Sequence, residues 1–162
     1  MEKIASFQVD HLRLKPGVYV SRQDRFGETV LTTFDLRFKE PNKEPVIDQP
    51  ALHTLEHLGA TFLRSHKEWA ERAVYFGPMG CRTGFYVIFE GTLESRDILP
   101  VLREMCEWIL RFEGAIPGAL PAECGNYLEQ NLNMARWEAR RYAELLKNPA
   151  PENLAYPSEA RE

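Results

Sequence analysis

The stretch 29-TVLTTFDLRFK-39 alternates along its whole length. Val30, Thr32, Phe34, Leu36 and Phe38 fall on one face, and Leu31, Thr33, Asp35, Arg37 and Lys39 on the other. A period of two marks a strand with one buried face, because successive side chains point to opposite sides of a sheet. Residues 18–22 read as its hairpin partner, with 24–27 in the turn, and 85-FYVIFE-90 reads as a third strand. Three helices surround them. The first starts near Pro50, with Asp48 or Gln49 at its cap, and runs to about Ser65. The second spans 95–112 and turns Ile98, Leu102, Met105, Ile109 and Phe112 inward. The last spans about 126–147 and stops at 148-NP-149. Hairpins with segregated helices predict an α+β fold, a mostly antiparallel sheet with helices packed on it.

At 162 residues the chain reads as one domain over 1–148, with a polar, proline-bearing tail at 149–162 expected to be loose. Apolar residues make up 44% and charged residues 27%, the composition of an ordinary globular protein. A net charge of -4 with no Lys/Arg block disfavours nucleic acid as a partner. No apolar run approaches the ~18 residues of a membrane span, and the start carries no signal-peptide pattern. The three cysteines, Cys81, Cys106 and Cys124, cannot all pair within the chain. A reducing, cytoplasmic setting is therefore expected, where cysteines pack, bind metal or react.

The first helix carries 53-HTLEHL-58, two of the chain's four histidines with a glutamate between them. At ~100° per residue, Glu56 lies at about -60° and His57 at about +40° from His53. One divalent ion can reach both imidazoles on that face, and the glutamate is placed to move protons beside it. H-x-x-E-H is also the spacing of inverted zincins. The plainer reading is a polar helix face, but three titratable groups on an otherwise apolar helix need partners. His66 points away from this face and reads as a surface residue. A third ligand must come from elsewhere, with Cys124 and Cys81 the leading candidates. Cys106, beside Met105 and Ile109, reads as a small buried residue.

Cys81 stands in 78-PMGCRTGFY-86, after a glycine and next to Arg82, a cation that favours a thiolate. A buried structural thiol is the equal alternative there. Cys124 stands in 123-ECGNY-127, placed by this reading just ahead of the last helix, whose N-terminus would also favour a thiolate.

Together, 6-SFQVDH-11, 34-FDLRF-38 with 41-PN-42, 53-HTLEHL-58, 78-PMGCRTGFY-86 and 123-ECGNY-127 make the chain resemble the S-ribosylhomocysteine lyase (LuxS) family over about residues 6–132. The resemblance implies an α+β fold and a carbon–sulfur lyase that cleaves S-ribosylhomocysteine to homocysteine and 4,5-dihydroxy-2,3-pentanedione, the autoinducer-2 precursor. By the same resemblance His53, His57 and Cys124 match the metal ligands, and Glu56 and Cys81 match the proton-shuttling pair. Ser6, His11 and Arg37 match substrate-pocket residues. It also implies one divalent metal per subunit, ferrous iron above zinc or cobalt, with no organic cofactor. A homodimer with its sites near the interface is implied as well.

On local sequence alone Arg37 reads as a solvated sheet arginine, His11 as a turn histidine and Ser6 as a backbone-bonding hydroxyl. The chain departs from the family pattern at Tyr75-Phe76-Gly77, where an Asp-x-Ser step is usual, at Leu12, and at 130-QNL-132. Two rival readings remain at this level. One is an inverted-zincin peptidase, which leaves Cys81 without a task. The other is a non-catalytic interaction domain closed around its metal by four protein ligands.

Overall fold

A computed structural model describes residues 4–157, without the side chains of Ala5 and Ser6. The elements are a short α1 (Ala5–Gln8), β1 (Gly17–Phe26), β2 (Thr29–Arg37), α2 (Gln49–Ser65), β3 (Ala73–Pro78), β4 (Gly84–Glu90), α3 (Leu99–Arg111) and α4 (Leu132–Lys147). The four strands form one antiparallel sheet in the order β1-β2-β4-β3. The α+β reading holds.

β2 sits where its alternation demands. Phe34 pairs with Val20 on one side and Val87 on the other, and Phe34, Leu36, Phe85, Val87 and Phe89 are all fully buried. These residues share one core with Leu52, Leu55 and Leu58 of α2, Leu102, Met105 and Ile109 of α3, and Ala135 and Ala139 of α4. The helices thus cover one face of the sheet. The other face carries Tyr19, Asp35, Arg37 and Tyr86, the residues that alternate with the core positions.

Several boundaries differ from the sequence reading. β1 runs on to Phe26, and the turn shrinks to Gly27-Glu28, with Gly27 at a φ of 63°. A bulge between Val20 and Arg22 breaks the period of two, so the second half of the strand loses its pattern. β3 was not expected. It is a six-residue edge strand with its own irregularity, a glycine and a terminal proline, all of which blur a strand signal. α3 begins at Leu99 and not Ser95, and α4 begins at Leu132 and not near Asn126. Asn131 caps α4, its side chain accepting from the Met134 N–H at 3.1 Å.

Of the tail, residues 150–157 dock on the sheet end. A short 3₁₀ turn (Pro151–Asn153) is held by the Asn153 amide on the Pro16 carbonyl at 2.9 Å, and Ser95 donates to the Leu154 carbonyl at 2.9 Å. Aromatic packing supplies the anchor, with Tyr156 stacked on Tyr19 at 4.8 Å. Residues 158–162 lie outside the described residues.

His66 does not sit free on the surface. Its Nδ1 accepts the backbone N–H groups of Glu68 and Trp69 at 3.1 and 3.3 Å, and its Nε2 meets Glu104 at 3.1 Å. Cys106 is buried as read, and burial pushes its thiol up to about 12.

Lys39, past the end of β2, is 3% exposed and meets the Glu138 carboxylate of α4 at 2.7 Å. Removing one partner of a buried pair strands the other charge in low dielectric. Glu138→Ala is expected to cost ~3 kcal/mol in urea unfolding, while Glu138→Gln, which keeps a hydrogen-bond acceptor, should lose less. Equal stability for Glu138→Ala and the parent would show that Lys39 finds adequate relief elsewhere.

Candidate metal centre and thiol arm

α2 presents His53 and His57 one turn apart. The long connection between α3 and α4 folds across them and supplies backbone carbonyls. His53 Nδ1 lies 2.9 Å from the Glu129 carbonyl, and His57 Nδ1 lies 2.7 Å from the Pro117 carbonyl. A carbonyl only accepts, so each Nδ1 carries the ring proton and each Nε2 is left with a lone pair. Those two Nε2 atoms face each other at 3.0 Å. The Cys124 sulfur completes the set, 3.4 Å from His53 Nε2.

The donor set fits a divalent ion. All three ligand atoms lie within 4.8 Å of one another, and each residue is half-buried. Tetrahedral bonds of ~2.0–2.1 Å place two imidazole nitrogens ~3.3 Å apart, close to the separation found. Two inward lone pairs at this range repel unless a cation lies between them. Carbonyl-pinned imidazoles are also the usual support of a metal site. Three protein donors leave a tetrahedral ion one position open, which a site closed by four ligands lacks.

The N-terminus of α4 plays no part at Cys124, because that helix starts eight residues later than the thiol. A turn holds it instead. The Cys124 N–H donates to the Leu120 carbonyl at 3.0 Å, and the Asn126 N–H approaches the sulfur at 3.4 Å. From α2, Thr54 ties in the end of the same connection. Its hydroxyl donates to the Gln130 side chain at 2.7 Å and accepts the Asn131 N–H at 2.9 Å.

Glu56 lines a cleft with His57, Ala60, Thr61, Phe76, Pro117 and Gly118. Its carboxylate has no hydrogen bond or ion pair among the described residues.

Cys81 belongs to a different group. Its exposed thiol lies 3.1 Å from Thr83 Oγ1, which accepts from Arg37 Nη1 at 2.7 Å. Having accepted there, the Thr83 hydroxyl has its own proton to give to sulfur. Arg37 is 3% exposed, not solvated, and its other edge grips Asp35 in a fork, Nε to Oδ1 at 3.0 Å and Nη2 to Oδ2 at 2.5 Å. Burial works against the guanidinium's charge, but the Asp35 carboxylate outweighs it and raises its pKa above the ordinary arginine value. Arg82 turns the backbone beside Cys81 at a φ of 58°. Within one chain no described contact joins Cys81 to the histidine–cysteine triad.

His11 donates from Nδ1 to the Val9 carbonyl at 2.8 Å and touches neither group among the described residues. The Ser6 side chain lies outside the described residues.

The S-ribosylhomocysteinase (LuxS) model matches residues 4–152, nearly the whole described chain. The chain belongs to that family. Among its relatives, S-ribosylhomocysteine lyase of Clostridium acetobutylicum is 57% identical over 97% of this chain and 99% of its own length. The proteins of the same name from Desulfotalea psychrophila and Phocaeicola vulgatus are 57% and 50% identical, each over 98% of this chain.

Sequence reasoning missed the supports. Pro117 and Glu129 act through carbonyls, which leave no side-chain signature, and Thr83, Thr54 and Asp35 look like ordinary strand and helix residues. The dipeptide 117-PG-118 was the one visible signal. Gly118 holds a φ of 75°, and a Cβ there would stand 3.0 Å from His57 Nδ1. Gly118→Ala should therefore push His57 off the Pro117 carbonyl and weaken metal binding about 10- to 100-fold, read by chelator competition with circular dichroism unchanged. Parental metal affinity in that variant would mean that the carbonyl does not set the ring.

Proposed function

We propose that the protein cleaves the thioether of S-ribosylhomocysteine, giving homocysteine and 4,5-dihydroxy-2,3-pentanedione. The observation that carries this is the convergence of His53, His57 and Cys124 on one point, in a chain related to lyases of that name over nearly its full length. His53, His57 and Cys124 would hold a divalent ion, ferrous iron by preference, with zinc or cobalt able to replace it. When bound, the ion supplies Lewis acidity, drawing charge onto the sugar carbonyl oxygen.

A thioether leaves poorly unless negative charge develops on the carbon next to the one bearing sulfur. The carbonyl must therefore move along the sugar by enediolate steps, and each step needs a base on one carbon and an acid on the next. Cys81, as thiolate, takes the first proton from the carbon beside the carbonyl. Glu56, with its unpartnered carboxylate, moves protons between oxygen and carbon in the later steps. With the carbonyl on the third carbon, loss of the proton on the fourth expels homocysteine thiolate from the fifth. Arg37 holds the Thr83–Cys81 arm in place, and a substrate-binding role for Arg37, His11 and Ser6 rests on the family resemblance. The rival peptidase reading gives Cys81 nothing to do.

Free-thiol release from S-ribosylhomocysteine, measured anaerobically on iron-loaded protein, tests the reading. Cys124→Ala is expected to lose metal and turnover together. Cys81→Ala should keep its metal and lose turnover by at least ~10³-fold. A metal-free Cys81→Ala beside a fully loaded Cys124→Ala would reverse the two assignments.

We further infer a homodimer. Apolar residues stand exposed, among them Phe7, Leu12, Tyr75 on the edge strand β3 and Leu128 in the connection that carries Cys124. A second copy would cover them and carry the Cys81 arm of one chain to the triad of the other. Mixing Cys81→Ala with Cys124→Ala then leaves one intact site in each mixed dimer, so random exchange should restore about a quarter of parental activity. Complete inactivity in a mixture whose exchange is verified would place both arms in the same chain.

A further inference from the structure

The docked tail ends on the thiol arm. Tyr156 donates its hydroxyl to Asp35 Oδ2 at 2.9 Å, the oxygen that Arg37 Nη2 also reaches. Asp35 is 1% exposed and Arg37 is 3% exposed, so the pair has little water to satisfy it. From Tyr156 an unbroken chain runs to the reactive sulfur: Tyr156 to Asp35, Asp35 to Arg37, Arg37 to Thr83, Thr83 to Cys81. Nothing in the proposed chemistry uses Tyr156, and no motif in the sequence pointed to it.

Three features show a fitted contact. The Tyr156 ring lies nearly parallel to Tyr19, 13° between planes, and Tyr19 is fully buried beneath it. The Tyr19 hydroxyl shares its one proton between the Lys15 and Glu152 carbonyls, 2.8 and 3.0 Å away, tying the tail backbone to the start of β1. Gly17 is the position where the Asn153 carbonyl approaches, and any Cβ there would collide with it. Burial, and then the Asp35 charge, hold the Tyr156 phenol well above the ordinary tyrosine range. It therefore stays a proton donor at physiological pH.

We propose that Tyr156 is a positioning residue for the reaction: the C-terminal segment orients the Asp35 carboxylate, and through it Arg37, Thr83 and the Cys81 sulfur. An Asp35 without this donor can rotate about its χ2 and share Arg37 differently. Arg37 Nη1 then loses its fixed aim at Thr83, and the sulfur loses its partner. Tyr156 touches no substrate in this scheme. The role of Cys81 rests on the lyase reading, whereas its place at the end of the chain does not.

Tyr156→Phe keeps the stack on Tyr19 and removes one oxygen, so it tests the hydroxyl without undocking the tail. Two readouts separate positioning from stability. The first is kcat against KM for thiol release by the metal-loaded full-length protein. The second is the rate of iodoacetamide labelling at Cys81, followed by peptide mass. Expected are a kcat lowered about three- to tenfold with little change in KM, a Cys81 labelling rate changed by about threefold or more, and parental metal content. Tyr156→Leu, which also loses the stack, should show the larger kcat defect of the two. A Tyr156→Phe protein with parental kcat and parental labelling overturns the proposal, even if it melts at a lower temperature. Should the parent itself release no thiol, the lyase reading fails and labelling alone decides the positioning claim.

Discussion

Two imidazole nitrogens face each other at 3.0 Å, with both ring protons pinned on the far side by backbone carbonyls. With both rings neutral neither nitrogen can donate to the other, so the arrangement is a repulsion held in place by its surroundings. The connection between α3 and α4 does that holding. It contributes the Pro117 and Glu129 carbonyls and the Cys124 sulfur from a span with no helix or strand among its assigned elements. Its path is fixed by the apolar packing of α2, α3 and α4, by the Asn131 cap and by the Thr54 bonds. A cation is what such an electron-rich point is built to receive, and the same carbonyls that create the repulsion set the ring angles for it.

The second arm is built on a different principle. Asp35 and Arg37 form a buried ion pair, a poor source of stability but a good source of direction once the Tyr156 hydroxyl holds the carboxylate in the fork. β2 makes this possible. Its inward residues, Phe34 and Leu36, anchor the strand in the core, and the alternation then delivers Asp35 and Arg37 to the opposite face. One strand thus supports the hydrophobic core and the polar network through its period of two. The metal-binding donors belong to the helical side and the thiol to the sheet's outer side.

Much of the fold was legible because its signals are local. The alternation of β2, the apolar stripes of α2 and α3 and the stop at 148-NP-149 are all nearest-neighbour patterns, and they led to the α+β class. The errors have local causes too. A bulge hid half of β1, a short edge position hid β3, and the polar start of α4 allowed it to be drawn six residues too long. The contact that docks residues 150–157, the Tyr156 stack on Tyr19, left no local signal because it joins residues far apart in sequence.

The sequence by itself determined which polar side chains stand at the two candidate sites. His53, Glu56 and His57 share a helix face through a spacing that any α-helix honours, and Cys81 and Cys124 stand in blocks that mark the family. Tertiary structure alone decided how those groups are aimed. Carbonyl oxygens choose the tautomers of His53 and His57, an edge of Arg37 reaches Cys81 through Thr83, and a tyrosine near the chain's end fixes Asp35. The reason is physical: donor identity is a property of a residue, but the direction of a lone pair depends on which distant backbone the fold brings beside it.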